Sequence, residues 1–275
     1  MKWTVFGGDG FVGRAVQKVL LQNHEEFLVP SFDEVEQKIK GRDLGHVVYC
    51  IGLTADFRQR PLDAMQAHLC VLYQIIADNH CESVTYLSST RVYSGLDSTE
   101  EDRPLSVHPL HLSDLYNLSK LSGESLCLCC GIPAHIVRLS NVYGHSDNPN
   151  FDSPLFIPTL LRESALEKKL VFRSAPSSNK DYIHVEDAAQ LILNIASKGV
   201  SKIYNVASGQ NISNAQIAEV FRQFGTEVEF LADAEPISFP PIDIRRIRDE
   251  FFVPSHCLLE DLPELLNVFR EHFQR

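Results

Sequence analysis

The first fourteen residues constrain the fold more than any other stretch. An apolar run, Trp3-Thr4-Val5-Phe6, breaks into Gly7-Gly8-Asp9-Gly10-Phe11-Val12-Gly13-Arg14, and Val12, Ala15, Val16, Val19 and Leu20 then recur at helical spacing. This is a strand, a glycine turn and a helix that packs back on a sheet. A dinucleotide pyrophosphate approaches backbone N–H groups at a helix N-terminus, and a Cβ there holds it off. Gly8, Gly10 and Gly13 have one fingerprint spacing, and Gly7, Gly10 and Gly13 form an evenly spaced GxxGxxG. Either Gly7 or Gly8 makes the first tight turn; Gly10 and Gly13 serve in both readings.

The 25 basic and 36 acidic residues give a net charge of −11, with no basic patch, which argues against nucleic acid or an anionic membrane as partner. No apolar run reaches the roughly 18 residues that span a bilayer, and Met1-Lys2-Trp3 leads directly into a strand, so a cytoplasmic protein is expected. The seven cysteines sit mostly in apolar runs and read as small buried hydrophobes. Cys127 and Cys130 form a C-x-x-C, but no second pair stands at ligand spacing, so the apolar end of a helix is expected there and no metal.

The remaining chain alternates strands with helices. Phe27-Leu28-Val29 is a second strand, and Ser31 with Glu34 forms a capping box that opens a helix to about Lys40. Asp33 lies 20 residues past Gly13, where a dinucleotide-binding unit often places an acid on the adenosine ribose; its other reading is a first-turn acid favoured by the helix dipole. Val47-Val48-Tyr49-Cys50-Ile51 is the third strand, and only one crossover fits before it, so the first half of the sheet is abbreviated. A long helix follows from Pro61 to Asn79, then a strand, Val84 to Leu87, ending in Ser88-Ser89-Thr90. Tyr116 and Lys120 share one face of the next helix. Ala134 to Leu139 is a strand, and beyond residue 150 the simple alternation fades. The fold expected is a doubly wound, Rossmann-type parallel α/β sheet. Residues 1–150 form its dinucleotide-binding domain, and residues 151–275 form a mixed substrate lobe interleaved with the last strands.

A phenol with a pKa near 10 serves as a base at neutral pH only if a neighbouring cation stabilises the phenolate, and Lys120 is the expected cation. Ser89, at a strand end, is placed to hold the reacting oxygen while Tyr116 gives or takes its proton and hydride passes to a nicotinamide.

Five motifs carry a family resemblance: Gly7-x-x-Gly10-Phe11-x-Gly13, Ser88-Ser89-Thr90-Arg91-Val92-Tyr93, Tyr116-x-x-x-Lys120, Arg138 to Gly144, and Asp181-Tyr182-Ile183-His184-Val185-x-Asp187. In this order they resemble an extended short-chain dehydrogenase/reductase, and more narrowly the NAD-dependent epimerase/dehydratase branch whose members modify nucleotide sugars. The resemblance implies NAD or NADP as cofactor. It implies Ser89, Tyr116 and Lys120 as catalytic residues, with Thr90 as fallback hydroxyl and Lys120 also on the nicotinamide ribose. Gly7, Gly10, Phe11, Val12, Gly13, Asp33, Ile51, Gly52, Leu53 and Ser140 would hold the dinucleotide, and Asn141 and Lys180 the substrate. A homodimer paired through two long helices is the family analogy.

The departures are informative. Family dehydratases carry Asp-Glu straight after the catalytic hydroxyl, and Thr90-Arg91 stands here, so dehydration is not expected. Lys180 and Pro240-Pro241-Ile242-Asp243 replace arginines that hold a sugar nucleotide's diphosphate, with Arg173, Arg245 and Arg246 as candidates to compensate. His184 reads as a core or supporting histidine, and His108 and His111 as residues of the substrate mouth. The expected activity is a 4-epimerase or ketoreductase of a nucleotide-activated sugar. The rival reading is a non-catalytic NAD(P)-binding regulator of the same fold, which has no need of hydroxyl, phenol and lysine together.

Overall fold

The computed structural model describes residues 1–36, 39–53, 57–145 and 151–273. The first half runs β1 (Lys2–Phe6), α1 (Phe11–Gln22), β2 (Glu26–Leu28), α2 (Phe32–Glu36), β3 (His46–Tyr49), α3 (Pro61–Met65), α4 (Val71–Asp78), β4 (Ser83–Ser89), α5 (Leu112–Cys129) and β5 (Ala134–Leu139). It continues through β6 (Asn141–Tyr143), α6 (Phe156–Glu167), β7 (Lys169–Phe172), β8 (Asn179–His184), α7 (Val185–Lys198), β9 (Ile203–Val206), β10 (Asn211–Ser213), α8 (Asn214–Gln223), β11 (Glu227–Phe230), α9 (Arg245–Glu250) and α10 (Leu258–Phe273).

The main sheet has the order β2-β1-β3-β4-β5-β9, and every neighbouring pair is parallel. The chain leaves β1 on one side to make β2 and returns on the other to make β3, so the carboxyl ends of β1 and β3 flank the topological switch where such sheets bind ligands. One strand, β2, lies beyond β1, which is the abbreviation expected from the short spacer. Successive side chains of a strand face opposite sides. Val5 and Val48 accordingly pack with Val16 and Leu20 of α1 and Ile192 of α7, whereas Phe6 and Tyr49 pack with Leu72 of α4 and Cys127 of α5. Burial on both faces explains why these strands read as continuous apolar runs.

A further core gathers Leu160 and Leu161 of α6, Phe172 of β7, Ile217 and Phe221 of α8, and Leu262, Leu266 and Phe269 of α10. Beside it stands a small sheet of order β10-β8-β6, while α7 and β9 return to the main sheet. The apolar run before α7 is therefore itself a strand, β8. The capping box is present: the Glu34 carboxylate accepts from Ser31 N at 2.8 Å and the Ser31 hydroxyl from Glu34 N at 3.3 Å. The expected continuation of this helix through residues 37–38 lies outside the described residues. Cys127 is core, and all seven cysteines are free thiols. Among the described residues no helix is long and apolar enough to cross a membrane.

Candidate active site

The glycine turn closes with Gly7 as the tight turn, at φ +77°, where a Cβ would stand 2.8 Å from Ile51 N on the neighbouring strand end. At Gly13 a Cβ would fall 2.2 Å from the Gly7 carbonyl oxygen, whereas at Gly10 it would meet only that same oxygen, at 3.1 Å. Helix α1 starts at Gly10 with no side-chain cap and no acid in its first turn, so its leading N–H groups keep no side-chain acceptor. Compare α8, whose Ser213 and Gln216 form a full capping box. Open backbone donors over a glycine step fit a dinucleotide pyrophosphate. Arg14 turns back to donate to the Asp9 carbonyl at 2.5 Å, and Asp33 is exposed on α2, outside the cavity described next.

A cavity of about 400 Å³ runs from this turn across the carboxyl ends of β3, β4 and β5 to β8, and Gly10, Phe11, Val12, Gly13, Gly52, Ser89, Tyr116, Lys120, Ser140, Asn141 and Lys180 all line it. The strand end Ile51-Gly52-Leu53 is held from below by His68, a residue that sequence reasoning passed over. His68 is fully buried in a π-helical turn (Gln66–Cys70) that joins α3 to α4 into one continuous helix. Its Nε2 accepts the Leu53 N–H at 3.1 Å, which makes Nδ1 the donor to the Ser119 hydroxyl, 2.8 Å away. Burial, and then the charge of Lys120, push His68 down to about 2, so it stays neutral.

Ser89 ends β4, and its hydroxyl accepts the Arg91 N–H at 3.2 Å to cap a short turn, Thr90–Tyr93. Tyr116 is only 3% exposed and lines the cavity beside Ser89. Burial pushes its phenol up to about 12, against the opposing influence of the Ser89 hydroxyl and the nearby charge of Arg91. Lys120, one helical turn on, points elsewhere: its Nζ donates to the Leu87 carbonyl at 2.9 Å and lies under Gly52. Burial brings its ammonium down to about 7, with Glu124 opposing. The cation felt by the phenol in this structure is thus Arg91, while the Lys120 ammonium is engaged by the Leu87 carbonyl.

On the far wall the Asn141 amide donates to the Asp181 carbonyl at 2.8 Å. The Asp181 carboxyl is raised by burial, although it accepts from Ser208 N, Ser208 Oγ and Gln210 N. Lys180 is held below its ordinary range by burial and by the charges of Arg91 and Arg58. Pro240 lines the wall where the resemblance places an arginine. The expected compensating arginines are elsewhere: Arg245 pairs with Asp243 and Glu100, Arg246 with Glu101 and Asp102, and Arg173 is exposed outside the cavity. His108 and His111 are exposed and lie against each other with tilted rings, centroids 4.5 Å apart, away from the cavity lining. His184 caps α7 by accepting Glu186 N and stacks on His256 at 4.1 Å. His184, Glu186 and His256 bring ligand-type atoms within 4.8 Å of one another, but Glu186 faces Lys18 and His256 faces Asp187.

Behind Ser89 lies a second feature missed in the sequence. Arg138 of β5 grips Glu124 of α5 with two bonds, Nη2 to Oε2 at 2.7 Å and Nε to Oε1 at 3.1 Å, and its Nη1 donates to the Tyr93 hydroxyl at 2.7 Å. Ser88 donates to the same carboxylate at 2.5 Å. This buried network fixes the end of β4, and with it Ser89, against α5, which carries Tyr116.

Residues 3–207 match the NAD dependent epimerase/dehydratase family, and the chain belongs to that family. Among characterised relatives it is 25% identical over 280 residues to GDP-6-deoxy-D-mannose reductase of Pseudomonas aeruginosa, covering 94% of this chain and 89% of that protein. It is 27% identical over 147 residues to dTDP-D-glucose 4,6-dehydratase of Dictyostelium discoideum, a match that covers 49% of this chain and only 33% of that protein. Among solved structures, MoeE5 in complex with UDP-glucose and NAD has the same fold, with a TM-score of 0.79, 17% identity and coverage of 99% and 100% of the two chains. So has Thermus thermophilus UDP-glucose 4-epimerase in complex with NAD, at 0.77, 18% identity and 98% and 99% coverage.

Proposed function

We propose that the protein is an NAD(P)-dependent epimerase or reductase acting on a hydroxyl or ketone of a nucleotide-activated sugar. The observation that carries this reading is the Ser89–Tyr116 hydroxyl pair, which lines the same cavity as the uncapped glycine turn. The names of the relatives, a GDP-sugar reductase and proteins bound to UDP-glucose or NAD, agree with it. When bound, the nicotinamide dinucleotide supplies the hydride acceptor and donor. Gly7, Gly10, Phe11, Val12 and Gly13 seat its pyrophosphate, Asp33 its adenosine ribose, Ile51, Gly52 and Leu53 its passage over β3, and Lys120 and Ser140 its nicotinamide end. Asn141 and Lys180 hold the substrate.

In this reading Ser89 holds the reacting oxygen and Tyr116 moves the proton. A phenol held near 12 carries its proton at neutral pH, so Tyr116 is poised to donate to a carbonyl oxygen. Taking a proton from an alcohol requires the phenolate, which the Ser89 hydroxyl and the Arg91 charge favour. An arginine where dehydratases of the family carry an acid supports a 4-epimerase or ketoreductase. The division at residue 150, a cytoplasmic location and a dimer through the Pro61–Asp78 helix and α5 belong to the same proposal. Exposed Leu62 and Tyr73 on that helix agree with the dimer.

The test is hydride transfer with a panel of sugar nucleotides. Tyr116→Phe is expected to lose roughly 10²-fold or more in kcat, and turnover at the wild-type rate overturns the reading. Retained oxidised cofactor on the purified protein selects an epimerase, and exchangeable reduced cofactor a reductase.

A further inference from the structure

Beyond its charge on the Tyr116 phenol, Arg91 presents a guanidinium to the cleft that the proposed reaction does not otherwise use. Arg91 stands two residues after Ser89, and its guanidinium carbon lies 6.0 Å from the Tyr116 ring centroid and 5.4 Å from that of Phe57. Its Nε is buried without a hydrogen-bond partner, and among the described residues it forms no ion pair. Arg138, by contrast, has Glu124 across two bonds. A guanidinium drawn partly out of water without a carboxylate is unfavourable, and an arriving anion relieves that cost.

The surroundings reinforce the demand for an anion. Asp114 is the acid that bears on Arg91, and both of its oxygens are engaged, Oδ2 by His108 N at 2.8 Å and Oδ1 by Asn117 Nδ2 at 3.2 Å. Arg58 lies over Phe57 at 4.6 Å, and Lys180 lies across the cleft, 5.7 Å from the Phe156 ring. Two cations, Arg91 and Lys180, line the cavity and Arg58 lies exposed nearby, which concentrates positive potential at the cleft of a chain of net charge −11.

Position separates two kinds of anion. On a nucleotide sugar the diphosphate is attached at C1, across the ring from C4, whereas a C5 carboxylate adjoins C4. Arg91 shares its turn with the oxygen-holding Ser89 and its stack with Tyr116, so it faces the reacting carbon's own neighbourhood, and Lys180 is left for the diphosphate. Resting on the reading of the site given above, we infer that Arg91 recognises an acidic substituent on the sugar itself. The preferred substrate class is a nucleotide-activated sugar acid, ahead of the neutral hexose. Guanidinium and carboxylate match as planar, bidentate partners.

The test measures binding, not turnover, so it is independent of whether Tyr116 transfers a proton. Wild type, Arg91→Leu and Arg91→Lys are titrated calorimetrically with UDP, UDP-glucose, UDP-glucuronic acid, GDP-mannose and GDP-mannuronic acid, and with glucose 1-phosphate and glucuronic acid 1-phosphate as nucleotide-free probes. Thermal melting establishes that each variant is folded, and Arg91→Lys stands in if Arg91→Leu is not. In at least one matched pair the acid is expected to bind wild type about tenfold tighter than the neutral sugar. Arg91→Leu should erase that preference while changing the neutral member less than about threefold, and Arg91→Lys should keep part of it. Three results overturn the inference: no acid preference in any pair, a preference that survives Arg91→Leu, or an equal loss for UDP, neutral and acidic sugars, which assigns Arg91 to the diphosphate.

Discussion

His68 meets the ring of Tyr116 edge-on, centroids 5.2 Å apart at 90°, while its Nε2 accepts the N–H of Leu53. One neutral imidazole therefore sets both the phenol proposed for proton transfer and the strand end proposed to carry the dinucleotide. Ser119 completes the link, bonded to His68 and donating to the Tyr116 carbonyl at 2.8 Å. Replacing His68 by Leu leaves the Leu53 N–H and the Ser119 hydroxyl short of partners in a buried place. A loss of about 2–4 kcal/mol in urea unfolding is expected, together with weaker dinucleotide binding by calorimetry. The pH dependence has a fixed sign. A histidine held near 2 in the native state and near 6.5 unfolded binds fewer protons when folded, so stability falls as pH drops from 6.5 towards 2. Wild type should lose this increment on acidification and His68→Leu should not.

Lys120 titrates in the opposite range. Its native ammonium is brought down to about 7, against about 10.4 in the unfolded chain. Between those values the unfolded state binds more protons, so this group makes stability rise with pH, and its penalty is fully present below pH 7. Lys120→Met is expected to be more stable than wild type by about 1–3 kcal/mol at pH 6–7, an advantage that shrinks by pH 10, while hydride transfer falls sharply. Urea midpoints at the two ends of the range decide it; a variant less stable than wild type at every pH contradicts the assignment.

The glycine turn and the Tyr116–Lys120 spacing were readable because each depends on local backbone geometry that leaves a residue-type trace. His68 left none: a single histidine on an apolar helix face resembles core, and a π turn is decided by what packs against it. Arg91 was visible only as a missing acid, since an arginine in a loop reads as surface until Phe57 and Tyr116 are known to enclose it. Three-residue strands such as β6 and β10 are too short for a period-2 pattern to register. The Arg138–Glu124 grip joins a helix to the strand after it, a pairing that only the packed sheet reveals.

That grip has a measurable asymmetry. Arg138→Met strands the Glu124 carboxylate in a buried place and is expected to cost about 3–5 kcal/mol. Removing both partners, Arg138→Met with Glu124→Leu, should recover most of the loss, because no charge is then left unpaired. Denaturant midpoints of the two single variants and the double variant form the cycle. If the double variant is as unstable as the sum of the singles, the network acts through shape and not through charge.

Two glycines of the opening turn separate folding from ligand approach. At Gly13 an added Cβ falls 2.2 Å from the Gly7 carbonyl oxygen and 2.8 Å from the Gly8 Cα, both backbone, so Gly13→Ala must push the start of α1 away from the glycine turn and should lower stability by about 1–3 kcal/mol. At Gly10 the same methyl meets one atom at 3.1 Å, and the φ of −73° suits alanine. Gly10→Ala should therefore melt within about 1 kcal/mol of wild type, yet its methyl occupies the space above the uncapped N–H groups of α1. Dinucleotide affinity is expected to fall about tenfold or more. Calorimetric titration with NAD and NADP beside a urea melt reads both quantities on one preparation. Undiminished affinity in Gly10→Ala would move the pyrophosphate away from this turn, and with it the cofactor site proposed for the whole cleft.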